Sequence, residues 1–211
     1  MSSLRKYQAE DVDKLRDTLR QGAKKVLFEA SVGYGKSVVI EHLAAAYSAI
    51  GRRVWVLSNR SAVINQLHDR TGEMPGVTVM TVQAADRRRE KLSAEPAALI
   101  LVDEVHMGGA AAQYRPVLDC APYAVAIGFT GTPRPETFSV FPAHVQGKGA
   151  AWLTGQRLLA PLKYAVSNEM DLRHVKKRRG EFDEAQIVEM MSERRIYSDA
   201  IVKLVASEDV V

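Results

Sequence analysis

The segment Ala30-Ser31-Val32-Gly33-Tyr34-Gly35-Lys36-Ser37 carries the strongest chemical signal in the chain. Gly33 and Gly35 let backbone N–H groups approach phosphate oxygens closely, and a lysine and a hydroxyl follow at once. The segment comes after the apolar run Val26–Phe28 and opens a helical pattern, so its donors gather at a helix N-terminus whose dipole favours an anion. It fits the phosphate-loop pattern except that Ala30 stands in the first glycine position. Lys36 would reach the β- and γ-phosphates of a nucleoside triphosphate, and the Ser37 hydroxyl would ligate Mg²⁺. A pair of acids ends a second apolar run, Leu99-Ile100-Leu101-Val102-Asp103-Glu104. Asp103 would hold Mg²⁺ through its water shell, and Glu104 would orient or deprotonate an attacking water. Adjacent acids after a strand are common. Their weight comes from the phosphate loop, because both halves would meet at the carboxyl ends of strands, where α/β folds bind ligands.

The elements that must position these groups show as short apolar runs alternating with amphipathic stretches. The runs are Val26–Phe28, Val54–Leu57, Val77–Val82, Leu99–Val102 and Val125–Phe129. Most are apolar on consecutive residues, which suits strands buried on both faces of a parallel sheet. Between them, Val12, Leu15 and Leu19 make one helical face. Ile40, Leu43, Ala44 and Tyr47 make another, and Val63 with Leu67 a third. The alternation predicts a doubly wound α/β domain, its mainly parallel sheet covered by helices on both faces. Residues 133–150, rich in Pro, Gly and Phe, read as loop. A helical turn is expected near Ala151–Gln156 and an extended piece at Leu162–Val166. Asp183 with Gln186 resembles a capping box that starts a helix carrying Ile187 and Met190. Residues 1–166 read as the domain and 167–211 as a connector.

Composition sets outer limits. The chain has 211 residues, 46% of them apolar and 26% charged, an ordinary globular balance. At roughly 100–200 residues per domain it holds one domain, or one with an appendage. The single cysteine, Cys120, closes no internal disulfide, which points to a reducing, intracellular setting. The five histidines lack metal-ligand spacing with it, so no zinc site is expected. No apolar run approaches the roughly 18 residues of a membrane span. The formal charge of +4 is too small to diagnose a polyanionic partner. The basic clusters Arg87–Arg89 and Lys176–Arg179 read first as solvated faces.

Asp103-Glu104-Val105-His106 resembles the DExH box of superfamily-two helicases and translocases, and further segments fall in that family's order. Leu4-Arg5-Lys6-Tyr7-Gln8 resembles the LRxYQ element, whose glutamine reads adenine. Val56-Leu57-Ser58-Asn59-Arg60 resembles motif Ia. Thr81-Val82-Gln83 resembles a TxQ element, and Thr130-Gly131-Thr132-Pro133 resembles motif III. The resemblance is closest to the group holding restriction-enzyme translocases, repair helicases and phage helicases. It implies a RecA-like P-loop NTPase domain using ATP and Mg²⁺. Ser31, Val32, Gly33, Tyr34, Gly35, Lys36 and Ser37 would cradle the nucleotide, with Gln8 on adenine. Lys36, Asp103, Glu104 and His106 would carry catalysis. Asn59, Arg60, Thr81 and Gln83 would lie on a nucleic-acid track, DNA favoured over RNA. Thr130, Gly131 and Thr132 would couple hydrolysis to movement.

The sequence departs from that family's pattern at Val32, where threonine is usual, around Arg60, where Asn59 and Ser61 are atypical, and at Val105 in place of alanine. Family members also carry a second RecA-like domain with an arginine finger, a contribution of roughly 10³–10⁵ in rate. Residues 167–211 are too few for it, so a partner domain in cis or in trans is expected, with weak activity in its absence. Two other classes stay open at the level of sequence. One is a P-loop ATPase that does not act on nucleic acid; the other is a non-catalytic half-core that binds nucleic acid or a partner.

Overall fold

The structure is a computed structural model, and it describes residues 3–59, 61–71, 73–106, 113–161, 177–178 and 181–182. The chain divides into two compact units, Met1–Ala160 and Pro161–Val211. In the first unit the order is α1 (Lys6–Arg20), β1 (Lys25–Glu29), α2 (Lys36–Ala49), β2 (Val54–Ser58), α3 (Ser61–Thr71) and β3 (Val77–Thr81). Then follow α4 (Val82–Asp86), α5 (Arg89–Ala94), β4 (Leu99–Asp103), α6 (Arg115–Leu118), β5 (Val125–Thr130), α7 (Pro135–Phe138), β6 (Ala143–Gln146) and α8 (Ala150–Gly155). Six strands form one sheet in the order β3-β2-β4-β5-β1-β6, and every pairing is parallel.

The consecutive apolar runs have a simple cause. Side chains alternate across a sheet, so a strand covered on both faces needs apolar residues at both parities. Val26 and Phe28 of β1, Val54 and Val56 of β2, Leu99 and Leu101 of β4, and Ile127 and Phe129 of β5 enter one core with α1, α2 and Leu153 of α8. Leu27, Trp55, Leu57, Ile100, Val102 and Ala126 enter the other with residues from α4, α5 and α6 and with Phe141. Each Val, Leu, Ile or Phe among them contributes about 1.5–3 kcal/mol on full burial. The five expected strands and the three expected helices thus stand where the pattern put them. Trp55, expected in the core, is there.

The reading of residues 133–150 as loop needs correction. They contain α7 and the sixth strand, β6, which pairs with β1 from Val26↔Ala143 to Glu29↔Gln146. β6 lies at the sheet edge with only Val145 buried and is 4 residues long, so it lacks the two-faced apolar run that marked β1, β2, β4 and β5. In the second unit the described residues form an antiparallel pair, β7 (Lys177–Arg178) with β8 (Glu181–Phe182). The extended piece expected at Leu162–Val166 and the helix expected after Asp183 lie outside the described residues. Among those residues no helix is long and apolar enough to cross a membrane.

Candidate functional site

The segment between β1 and α2 is built for close backbone approach. Gly33 and Gly35 adopt φ +80° and +89°, a region costly for residues with a Cβ. Gly35 immediately precedes α2, so the loop leads straight into a helix N-terminus. A Cβ at Gly35 would lie 2.7 Å from Gln8 Nε2, and one at Gly33 would lie 2.7 Å from Leu159 Cδ1. The loop is tied to its neighbours at both ends of that turn. Ala30 N–H donates to Thr130 O at 2.8 Å, joining it to the end of β5. Tyr34 O accepts from the Tyr7 hydroxyl at 2.9 Å and from Gln8 Nε2 at 3.0 Å, joining it to α1.

Lys36 opens α2 and folds back over the loop, donating to Ala30 O at 3.3 Å. Its Nζ lies 3.5 Å from Glu104 Oε1. Glu104 stands just past β4 at φ +49°, a left-handed conformation costing about 1 kcal/mol or more in a residue with a side chain. The turn carries the chain onward so that Val105 N–H bonds Phe129 O of β5. His106 Nδ1 then lies 3.2 Å from Glu104 Oε2 and 2.8 Å from Thr130 Oγ1. Thr130 Oγ1 also accepts from Thr132 N–H at 3.1 Å. Gly131 completes the approach, since a Cβ there would lie 3.3 Å from Ala30 O and 3.6 Å from Lys36 Nζ. An unbroken polar chain therefore runs from Lys36 through Glu104 and His106 to Thr130 and Thr132.

Asp103 ends β4 almost fully buried. Burial first, then the charge of Glu104, push its carboxyl up to about 6, against the opposing pull of Lys36 and the Glu104 backbone. Its Oδ1 and the Ser31 Oγ are buried without a hydrogen-bond partner among the described residues. A hard oxygen of this kind beside a phosphate loop suits a divalent cation, which would also draw the carboxyl toward its ionised form. Among the described residues no cluster of three His, Cys, Asp or Glu side chains forms a cage. Asp103 and the Ser37 hydroxyl fit Mg²⁺ only as partners of nucleotide phosphates, the usual way this ion is shared.

The remaining expected residues are placed as follows. Val32 is exposed at the lip of the loop. Gln8 is 2% exposed, and its amide is already engaged: Oε1 accepts from Arg5 N–H at 2.9 Å and Nε2 reaches the loop carbonyls. In this arrangement it holds the loop. Asn59 Nδ2 donates to the Tyr114 hydroxyl. That hydroxyl is pushed up to about 12 by burial, opposed by the Asn59 bond and helped by the nearby Asp103 charge. Thr81 caps α4 by accepting from Ala84 N–H at 3.1 Å, leaving its own proton to donate. Gln83 is exposed in a cleft of about 350 Å³ with Asp86, Arg87 and Gln113. Arg60 lies outside the described residues. Arg87–Arg89 is exposed among acids, with Arg89 Nε 3.3 Å from Asp86 Oδ1, as a solvated face would be.

The sequence reading missed Asp11. Its side chain is fully buried behind the phosphate loop, where Oδ2 accepts from the Tyr34 hydroxyl at 3.0 Å and from Lys148 N–H at 3.2 Å. The available signal was its position four residues after Tyr7 and four before Leu15, on the buried stripe of α1.

The parallel sheet, with a glycine-bent loop facing strand-end carboxylates, defines a P-loop nucleotide-binding domain of RecA-like fold. A family model described as AAA domain matches residues 6–133, and the chain belongs to that AAA domain family. The "51.5 kDa protein" of a Lactococcus phage (isolate 7-9) is 26% identical over 182 residues. That match covers 83% of this chain and 40% of the phage protein, so the chain spans well under half of its curated relative. Among solved structures, the Pyrococcus furiosus Hef helicase domain superposes with TM-score 0.55 at 19% identity, over 69% of this chain and 38% of that one. A hypothetical ATP-dependent RNA helicase from Sulfolobus tokodaii superposes with TM-score 0.53 at 12% identity, over 70% and 54%. The fold is thus the one helicase domains use.

Proposed function

We propose that the chain is the first ATP-binding lobe of a DExH-type superfamily-two helicase or translocase. In this reading it couples Mg²⁺-ATP hydrolysis to movement on nucleic acid, DNA in preference to RNA. Residues 1–166 are the lobe and 167–211 the connector, and a second RecA-like domain acts with it in cis or in trans. The observation that carries the reading is the polar chain from Lys36 to Thr132. A phosphate loop that only bound nucleotide would have no use for a histidine bridging its carboxylate to the next strand end. A motor needs such a bridge, because the state of the γ-phosphate must reach the surface that grips the track. The fold shared with the two solved helicase structures supports the same reading.

Each residue then has a role. Backbone N–H groups of residues 31–37 and the Lys36 ammonium hold the phosphates. Ser37 and Asp103 hold Mg²⁺, which neutralises phosphate charge when bound. Glu104, kept in place by Lys36 and His106, positions the attacking water and accepts its proton. Thr130 and Thr132 move with His106. Asn59, Arg60, Thr81 and Gln83 contact the nucleic-acid backbone, which gives affinity without sequence reading. Gln8 reads adenine, and its hydrogen bonds to the carbonyls of Tyr34 and Gly35 hold it against the loop.

Fluorescence anisotropy of labelled single-stranded DNA and RNA oligonucleotides, with and without Mg²⁺-ATP, tests the coupling. The expected result is oligonucleotide binding whose affinity changes several-fold with ATP. His106→Ala should abolish that change while each ligand still binds. Binding of no oligonucleotide, or binding indifferent to ATP in the unaltered chain, overturns the reading.

A further inference from the structure

We propose that Asp11 is a positioning residue for the phosphate loop, acting through Tyr34, and that it ties the loop to the segment after β6. The inference deepens the nucleotide site and rests on that assignment. Tyr34 stands between the two glycines, yet its ring is fully buried and points away from the phosphate side into the core. α1 grips this residue at both ends. The Tyr7 hydroxyl and Gln8 Nε2 donate to its carbonyl, and Asp11 Oδ2 accepts from its hydroxyl. The peptide between Tyr34 and Gly35 is planar and trans, so a carbonyl drawn toward α1 turns the Gly35 N–H to the opposite side. Fixing Tyr34 therefore sets the direction of a donor in the phosphate cradle.

The carboxylate is held as firmly as what it holds. Its Oδ1 takes a 2.7 Å contact from Lys14 Nζ at the surface. Its Oδ2 also accepts from Lys148 N–H at 3.2 Å. Gly147, just before, leaves no room: a Cβ there would lie 3.2 Å from Asp11 Oδ2 and 3.3 Å from Tyr34 Cε2. Gly147 N–H in turn bonds Glu29 O at the end of β1. Burial and the adjacent Asp11 charge raise the Tyr34 hydroxyl well above its ordinary range, so it stays a donor. Further along the same segment, Leu159 covers Gly33. The loop is thus backed by α1 through Asp11 and flanked by residues 147–159.

The test compares Asp11→Asn, Tyr34→Phe and their double variant with Val12→Ala, a buried α1 change with no polar contact to the loop. Thermal melting and calorimetric titration with ATP, ADP and adenosine are measured on each. Asp11→Asn and Tyr34→Phe should each weaken ATP binding about tenfold, and the double variant no further, as expected for one shared interaction. The loss should be present for ADP and absent for adenosine, since the phosphate cradle is what moves. Val12→Ala should melt earlier with ATP affinity unchanged. Equal affinities in the Asp11→Asn variant and the unaltered chain, or an equal loss in Val12→Ala, overturn the proposal. Amide hydrogen exchange without nucleotide gives an independent readout. Asp11→Asn should speed exchange at residues 31–37 and leave the middle of α2 unchanged, and unaltered exchange there counts against it. If the unaltered chain binds no ATP, the nucleotide assignment fails, and hydrogen exchange alone decides the role of Asp11.

Discussion

Asp103 is the residue where the needs of folding and of function separate. Its folded-state pKa of about 6 lies above the unfolded-chain value of about 3.9. The folded form therefore holds the proton more tightly. That stabilisation is complete below about pH 4 and is lost as the pH rises through about 6. At pH 8 the metal-free domain keeps an ionised carboxylate in a site that disfavours it. Asp103→Asn should raise stability by about 1–3 kcal/mol at pH 8 in urea unfolding, with the gain shrinking toward zero near pH 4. An equal gain at both pH values would show that the site does not strain the carboxylate. The contrast with Asp11 shows what sequence could and could not reveal. Asp11, Asp13 and Asp17 each precede a base by three residues and form the same short ion pair with it. Only the first is buried, while the other two side chains are more than half exposed. The ion-pair spacing does not separate them; only the helical face does, because Asp11 shares the buried stripe of Tyr7 and Leu15. The burial of Asp11 comes from Tyr34 and Lys148, which are 23 and 137 positions away.

At the scale of elements, legibility was clearest where strands are buried on two faces. β1, β2, β4 and β5 lie inside the sheet and need apolar residues at both parities, so their runs stood out. β3 and β6 are the two edges with one buried side chain each; β3 showed through Val77, Val79 and Met80, whereas β6, with 4 residues and Val145 alone as a large apolar side chain, was missed. The phosphate loop was legible because its chemistry is local to a few consecutive residues. The contact of His106 with Thr130 joins residues 24 positions apart, which no local pattern reveals. Gly128 in β5 is another position that only packing explains. A Cβ there would lie 2.7 Å from Val105 Cγ1 and 3.0 Å from the Phe141 ring. This closeness lets the Glu104 turn lie flat on β5. Gly128→Ala should cost about 1–3 kcal/mol by overpacking, read as a lower melting temperature. It should also disturb nucleotide binding, because Val105 separates Glu104 from His106. A variant that melts and binds like the unaltered chain would remove this account of the turn.

The whole molecule pairs a P-loop domain of helicase-type fold with a second unit, in a chain that spans 40% of its phage relative. In the proposed reading, full turnover needs an arginine supplied by another lobe, so the rate of hydrolysis by this chain is a poor gauge of its site. Binding is the better one, because the loop, Lys36, Ser37 and Asp103 all belong to the first unit. The most direct test is isothermal titration of Mg²⁺-ATP into the 211-residue chain and its Lys36→Ala variant. The account predicts saturable binding to the unaltered chain and a loss of at least about tenfold in the variant, the scale of a charge-assisted contact. No binding up to millimolar ATP, or the same affinity in both proteins, would contradict it.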